Sequence, residues 1–407
     1  MSYTGINLGN VKENNRSAIL KLLNEQGAMS RKDLAERLGL TPATVTLICS
    51  DLIAAGILCE QGAMKEGKRA GRKKILVGID YTCRYVLSIR LEAMDTYITV
   101  SDLRGGNRMS VRRKTDISIP AEEFLHGVAQ EGIDLLEKAQ IPVEKLLGVG
   151  VSVPGAVDRG SGVSKSAYRV WNQPVHVAEI LKKYLPCPVI VENNVKAFAQ
   201  AELIYGSGRE HENILFLKWG YGVGSALVIS NEIYEGRTSK EGEIGHIIVE
   251  KDGKLCRCGR RGCLETKASI RAMAERVSAQ CRADNMPALY EMVNGDVSRI
   301  SSGNIDWWIK SDDLGMWREL DQVIELVART VAFSITILAP DTVVLYGEMF
   351  AVPKVTERFL AFCKEYDPAY NENYLCLSEL SDQIDYIGAL AIVVDELFLT
   401  AGGVKEI

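Results

Sequence analysis

One histidine and three cysteines fall within eighteen residues: His246, Cys256, Cys258 and Cys263. The cysteines read Cys-x-Cys-Gly-x-x-Gly-Cys, and imidazole and thiolate are the donors that a tetrahedral zinc takes. Gly259 and Gly262 allow the tight turn that this spacing needs. A redox role for the cysteines is the rival reading, but it leaves the histidine and both glycines without a purpose. Four protein ligands leave no open position for a catalytic water, so the expected zinc is structural.

A second chemistry is written near the N-terminus. Arg31 and Lys32 open one short helical stretch, and Ala43, Thr44, Thr46, Leu47 and Ser50 take the outward positions of the next. Hydroxyls contact phosphates or base edges, and Ala or Leu meets a thymine methyl. A basic stretch from Lys65 to Lys74 follows, with Arg69 between Gly67 and Gly71 and Arg72 next to Gly71. An extended backbone of that composition enters a narrow groove, where Arg meets enhanced negative potential. The same stretch also reads as a charged linker, and the two readings are compatible.

The elements that must carry these groups are legible. Ile19, Leu20, Leu22 and Leu23 make a short amphipathic helix over 15–23. Ser30 with Asp33 is a capping-box-like start, and Gly39 a stop. Thr41-Pro42 starts the next helix, whose Val45, Ile48, Cys49 and Leu52 fall at core spacing. Strands over 57–60 and 74–77 flank the basic loop. This is the plan of a winged helix-turn-helix, with the helix from Thr41 set to lie in the major groove of DNA. Downstream the pattern alternates strands (75–80, 85–91, 97–103, 147–153, 189–191) with helices (121–139, 195–204), an α/β domain.

With 407 residues, 47% hydrophobic and 25% charged, the chain has the composition of a globular protein of more than one unit. Residues 1–75 hold 12 Lys+Arg against 7 Asp+Glu, and the remainder 36 against 46. A basic head on an acidic body fits a head that alone meets a polyanion. No apolar run reaches membrane-spanning length, and residues 1–10 lack a leader pattern, so a cytoplasmic protein with no membrane partner is expected. In that compartment reduced or metal-bound cysteines are expected.

Three stretches together carry a family resemblance: the zinc knuckle with Glu243-Ile244-Gly245-His246 before it, Gly148-Val149-Gly150-Val151-Ser152-Val153-Pro154-Gly155-Ala156-Val157-Asp158, and Val191-Glu192-Asn193-Asn194. The chain resembles the ROK family (repressors, open reading frames and sugar kinases), in its repressor branch with a winged N-terminus. The resemblance implies an actin-like (ribonuclease H-like) two-lobed α/β sugar-kinase fold. Residues 1–75 would be the winged domain and 76–407 the kinase-like domain. Its first lobe would span 76–192 plus a C-terminal helix over 388–407, and its second 193–387. It also implies a sugar in the cleft, contacted by Asn193, Asn194, Glu243, His246 and Glu265. Their amides and carboxylates suit adjacent sugar hydroxyls, and His246 would ligate zinc through one ring nitrogen and face sugar with the other. Glu243 and Glu265 also read simply as groups supporting the zinc loop.

The sequence departs from the family's kinases in four places. Asn194 stands where they carry the catalytic aspartate, and an amide cannot accept the proton of a sugar hydroxyl. The first phosphate loop, read at Asp80-Tyr81-Thr82-Cys83-Arg84, has no glycine. The second, Gly220-Tyr221-Gly222-Val223-Gly224, has Tyr where kinases prefer Thr. The adenosine-side glycines are reduced to Gly347 in Tyr346-Gly347-Glu348. The expected protein is therefore a regulator without kinase activity: a repressor of carbohydrate-utilisation genes that binds operator DNA and a sugar or sugar-phosphate effector. One winged domain reads too few base pairs alone, so a homodimer or homotetramer is expected. The competing reading is an active sugar kinase with an accessory DNA-binding head.

Overall fold

The computed structural model describes residues 8–64, 74–236, 242–367 and 374–403. They form two compact units, one of residues 1–205 and 382–407, the other of residues 206–381.

The first unit opens with α1 (Leu8–Gln26), β1 (Met29–Ser30), α2 (Arg31–Leu38) and α3 (Pro42–Ala54), then β2 (Leu58–Met64) and β3 (Lys74–Ile79). Local chemistry sets the boundaries. Ser30 Oγ accepts from Asp33 N at 3.2 Å to cap α2, and Gly39 closes it in the left-handed conformation. Thr41 Oγ1 accepts from Thr44 N at 3.2 Å to cap α3, with Pro42 in its first turn. Val45, Ile48, Cys49 and Leu52 are all buried, as their spacing predicts. β3 pairs antiparallel with both β1 and β2.

That pairing corrects one expectation. The stretch 75–80 reads in the sequence both as a wing strand and as the first strand of the α/β domain. It belongs to the wing sheet, in the order β1-β3-β2. The α/β sheet starts at β4 (Tyr85–Leu91), followed by β5 (Asp95–Asp102) and β6 (Asn107–Lys114) in an antiparallel meander. α4 (Ala121–Lys138) leads to β7 (Leu146–Val153), parallel to β4. The short β8 (Val157–Asp158) and β9 (Val163–Ser164), α5 (Val177–Lys182), β10 (Val189–Asn193) and α6 (Asn194–Tyr205) complete this part. The sheet order is β10-β7-β4-β5-β6. Leu87, Ile89, Val149 and Val151 pack against Phe124, Leu125 and Val128 of α4 on one face.

The second unit has its own five-stranded sheet: β11 (Ile214–Trp219), β12 (Val223–Ile229), β13 (Glu232–Ile233), β14 (Thr342–Tyr346) and β15 (Leu375–Leu377), ordered β13-β12-β11-β14-β15. Between β13 and β14 lie α7 (Glu265–Ala268), α8 (Ile270–Gln280), α9 (Pro287–Met292), α10 (Ile305–Trp308) and the long α11 (Leu314–Leu338). α12 (Pro353–Tyr366) follows β14. Leu215, Leu217 and Trp219 share a core with Met273, Val277, Leu320, Val327 and Phe359 from these helices.

The chain returns to the first unit with α13 (Ile387–Val394) and a π-helical turn, Asp395–Thr400. α13 packs on α6 and β7. That packing keeps α6 in the first unit, so the division falls after Tyr205 rather than after residue 192.

Candidate functional site

The Cys-x-Cys-Gly-x-x-Gly-Cys knuckle is assembled by backbone hydrogen bonds. Cys256 N donates to Arg260 O at 2.7 Å, and Gly259 N to Cys256 O at 3.0 Å. A Cβ at Gly262 would collide with Glu250 O, and its φ of +72° is in the left-handed region, so only glycine fits there. The result brings His246, Cys256, Cys258 and Cys263 together with all four ligand atoms within 4.8 Å of one another. Cys256 Sγ lies 3.5 Å from His246 Nδ1, and Cys258 Sγ lies 3.6 Å from Cys263 Sγ. Tetrahedral zinc with sulfur at about 2.3 Å has ligand–ligand edges of about 3.5–3.8 Å, so the donor set fits the ion. Burial opposes ionisation of Cys258, but hydrogen bonds from the Arg260 backbone and side chain and with Cys256 and Cys263 together outweigh it and lower this thiol to about 7.

His246 points its other nitrogen, Nε2, to within 3.7 Å of Glu243 Oε2. The ring thus has Nδ1 on the side of Cys256 and Nε2 on the side of Glu243. Glu265 starts α7 directly after the knuckle. Its Oε2 accepts from Val223 N at 3.2 Å, placing it on the loop that joins β11 to β12.

In the first unit, β10 delivers Asn193 and α6 starts on Asn194. Asn193 is heavily engaged by the chain itself. Its Nδ2 donates to Gly155 O at 2.8 Å, and its Oδ1 accepts from Val195 N at 2.8 Å and Lys196 N at 3.2 Å. Asn194 Nδ2 donates to Glu92 Oε1 at 3.0 Å. Glu92 was not among the residues singled out in the sequence. It sits in the turn Glu92-Ala93-Met94 between β4 and β5, and Arg90, on that same strand edge, bridges Glu92 at 3.1 Å and Asp385 at 2.9 Å. Only the pairing of β4 with β5 reveals the turn.

On the winged domain, Ala43, Thr46, Leu47 and Ser50 of α3 are exposed, Leu47 at 61%. Thr44 is half-buried and shares a hydrogen bond with Thr41, and Thr46 Oγ1 donates to Pro42 O at 2.7 Å. Arg31 pairs with Glu60 of β2 at 3.0 Å, whereas Lys32 is exposed and pairs with Glu36 at 3.6 Å. Arg69 and Arg72 lie outside the described residues.

Two family profiles match the chain, winged helix-turn-helix DNA-binding over residues 13–58 and the ROK family over residues 86–396. The chain belongs to the ROK family. The ROK match begins inside β4, so the stretch 80–84, read as a first phosphate loop, lies before it. The turn joining the first two strands of the ROK sheet is instead Glu92-Ala93-Met94. That turn contains no glycine.

The chain is 27% identical over 402 residues to the N-acetylglucosamine repressor of Escherichia coli O157:H7, covering 95% of this chain and 94% of the relative. Its fold matches that of a ROK family transcriptional regulator, a homolog of the E. coli MLC protein, with a TM-score of 0.80 at 24% identity over 96% and 97% of the two chains. It also matches the ROK hexokinase of Thermus thermophilus, with a TM-score of 0.61 at 22% identity over 75% and 97%. The fold is thus an N-terminal winged helix joined to a sugar-kinase-like ROK domain. No helix among the described residues is long and apolar enough to cross a membrane.

Proposed function

We propose that this ROK protein is a DNA-binding transcriptional regulator, a repressor of carbohydrate-utilisation genes, whose sugar-kinase-like part binds a sugar or sugar-phosphate effector without phosphorylating it. The observation that carries the reading is Asn194. By resemblance to the ROK kinases it stands where they need a proton acceptor, and its amide Nδ2 donates to Glu92. The winged domain supplies the alternative output: α3 for the major groove of an operator, through Ala43, Thr44, Thr46, Leu47 and Ser50. Arg31, Lys32 and the wing residues Arg69 and Arg72 would meet the DNA backbone and minor groove.

Asn193, Asn194, Glu243, His246 and Glu265 are the proposed effector ligands. Structural zinc on His246, Cys256, Cys258 and Cys263 would hold His246 in orientation and Glu265 in place at the end of the knuckle. The protein acts in the cytoplasm as a homodimer or homotetramer, because two heads are needed to read a two-fold operator. The test is a coupled ADP assay with a sugar panel beside a genomic-fragment binding selection. Selective DNA enrichment without ADP release is expected. Steady turnover of any sugar overturns the reading.

A further inference from the structure

The loop between β11 and β12 and the turn after β14 meet inside the second unit. Gly347, with φ +115°, lies against the backbone of Trp219, and Met349 N donates to Trp219 O at 3.1 Å. These contacts fix the backbone on both sides of Glu348. They leave its side chain lying along Gly220, and a Cβ on Gly220 would collide with Glu348 Oε2. That oxygen is sealed from solvent and has no hydrogen-bond donor among the described residues. The next glycine of the loop meets a second carboxylate: a Cβ on Gly222 would lie 2.9 Å from Glu265 Oε2. Tyr221, between them, has its hydroxyl pushed up by burial and then by the charges of Glu348 and Asp306.

A glycine-rich turn after a strand cradles phosphate because missing side chains leave room and backbone N–H groups supply positive potential. Here the room beside Gly220 is taken, and it is taken by a carboxyl group, an acid like a phosphate. We propose that Glu348 is a resident anion of the Gly220–Gly224 loop, filling the place of a nucleotide phosphate and excluding nucleoside triphosphates from this unit. This deepens the reading of the ROK domain as a non-kinase, on which it rests. It also names a specificity-determining residue that acts by occupancy and like charge together. A carboxylate in contact range of a triphosphate opposes binding strongly, since like-charge juxtaposition costs far more than a surface pair returns.

The test uses the full chain and Mg-ATP as the probe, titrated calorimetrically into wild type, Glu348→Ser and Glu348→Gln. Glu348→Ser removes bulk and charge, and Glu348→Gln keeps the shape and removes the charge, so the second variant serves if the first folds poorly. Wild type is expected to show no saturable binding, and Glu348→Ser to bind at least about tenfold more tightly. A gain in Glu348→Gln as well assigns the exclusion to charge, and a gain in Glu348→Ser alone assigns it to occupancy; both support the proposal. If neither variant gains affinity, or if wild type binds Mg-ATP as tightly as Glu348→Ser, the proposal is wrong. Operator binding by the same samples reports separately on the regulator reading. A variant that gains ATP without loss of DNA affinity, or fails to gain it while still binding DNA, separates the two.

Discussion

Arg16 Nε donates to the carbonyl of Gly402 at 2.8 Å, tying α1 of the winged domain to the last turn of a chain 386 residues further on. The fit is close. Gly402 and Gly403 both have positive φ, and a Cβ on Gly403 would stand 2.9 Å from Ile57 and 3.4 Å from Leu52. Asn24 of α1 adds a hydrogen bond from Tyr81 at 3.2 Å. One turn earlier, Glu396 meets Arg159 at 3.0 Å, and Arg159 meets Glu192 at 3.0 Å. Glu192 in turn accepts from Asn193 N at 2.7 Å. Ion pairs thus link the end of β10 to Glu396 of the π-helical turn, and Gly402, six residues further along the chain, meets α1 of the winged domain.

Arg159→Leu is expected to be costly, because it leaves Glu192, only 5% exposed, as a buried charge without its cation. Breaking a fully buried pair costs about 3–5 kcal/mol, and Arg159 is a quarter exposed, so about 2–3 kcal/mol is expected here. Denaturant unfolding measures it. The double variant Arg159→Leu/Glu192→Gln should recover part of the loss. A single variant within 0.5 kcal/mol of wild type, the range of an ordinary surface change, would remove Arg159 from this account.

The knuckle should co-purify with one zinc per chain by elemental analysis. Cys258→Ser, or a strong chelator, should remove it and lower the melting temperature of the second unit, since ligand geometry and local folding are coupled. Folded protein free of metal, with an unchanged melting temperature after chelator, would exclude the zinc.

Leu47→Glu places a negative charge on the exposed face of α3 while leaving the buried Val45, Ile48, Cys49 and Leu52 untouched. DNA affinity should fall by about tenfold or more, with thermal stability unchanged. Arg72→Ala should flatten the dependence of log affinity on log salt by about one unit if this wing residue meets a phosphate. An unchanged slope and affinity in both variants would point to a winged fold used for protein contact.

Asp395, in the π-helical turn, has its carboxyl raised: burial dominates, Lys21, Arg159 and a hydrogen bond from Thr400 work against it, and Glu396 adds to it. The native state therefore holds this proton more tightly than the unfolded state. Its contribution favours folding at acid pH and is lost as pH rises through and above the ordinary carboxylate range. Asp395→Asn should make the protein more stable than wild type at neutral pH and indistinguishable from it at acid pH, read by thermal unfolding across a pH series. A less stable variant at neutral pH would show that the contacts with Lys21 and Arg159 outweigh burial.

Much of the winged domain and the knuckle was legible because their signals are local. Ser30 and Thr41 cap helices three residues away, and the Cys-x-Cys-Gly-x-x-Gly-Cys turn closes on itself. The strand over 75–80 was ambiguous because a run of Ile, Leu, Val and Ile pairs equally well in either sheet, and only the β1-β3-β2 order assigns it. That ambiguity placed the first strand of the ROK sheet, and the loop after it, too early in the sequence reading, at 75–84. Glu92 and Glu348 act on Asn194 and Gly220, more than a hundred residues away, and no spacing along the chain encodes such a meeting. Arg31 looked like a free basic group in sequence, but its pairing with Glu60 of β2 appears only once the wing has folded.

On the proposed reading, the winged head and a sugar-binding ROK domain make one sugar-responsive DNA switch. It is tested most directly by the affinity of the full chain for its selected genomic site, at one fixed salt concentration, with and without each of a panel of sugars and sugar phosphates. Binding about a thousandfold or more tighter than to random DNA is expected. At least one sugar should change that affinity by about 5- to 150-fold, and Glu243→Gln should lose the response while still binding the site. Equal affinity for all DNA, or a specific affinity that no sugar alters, would contradict it.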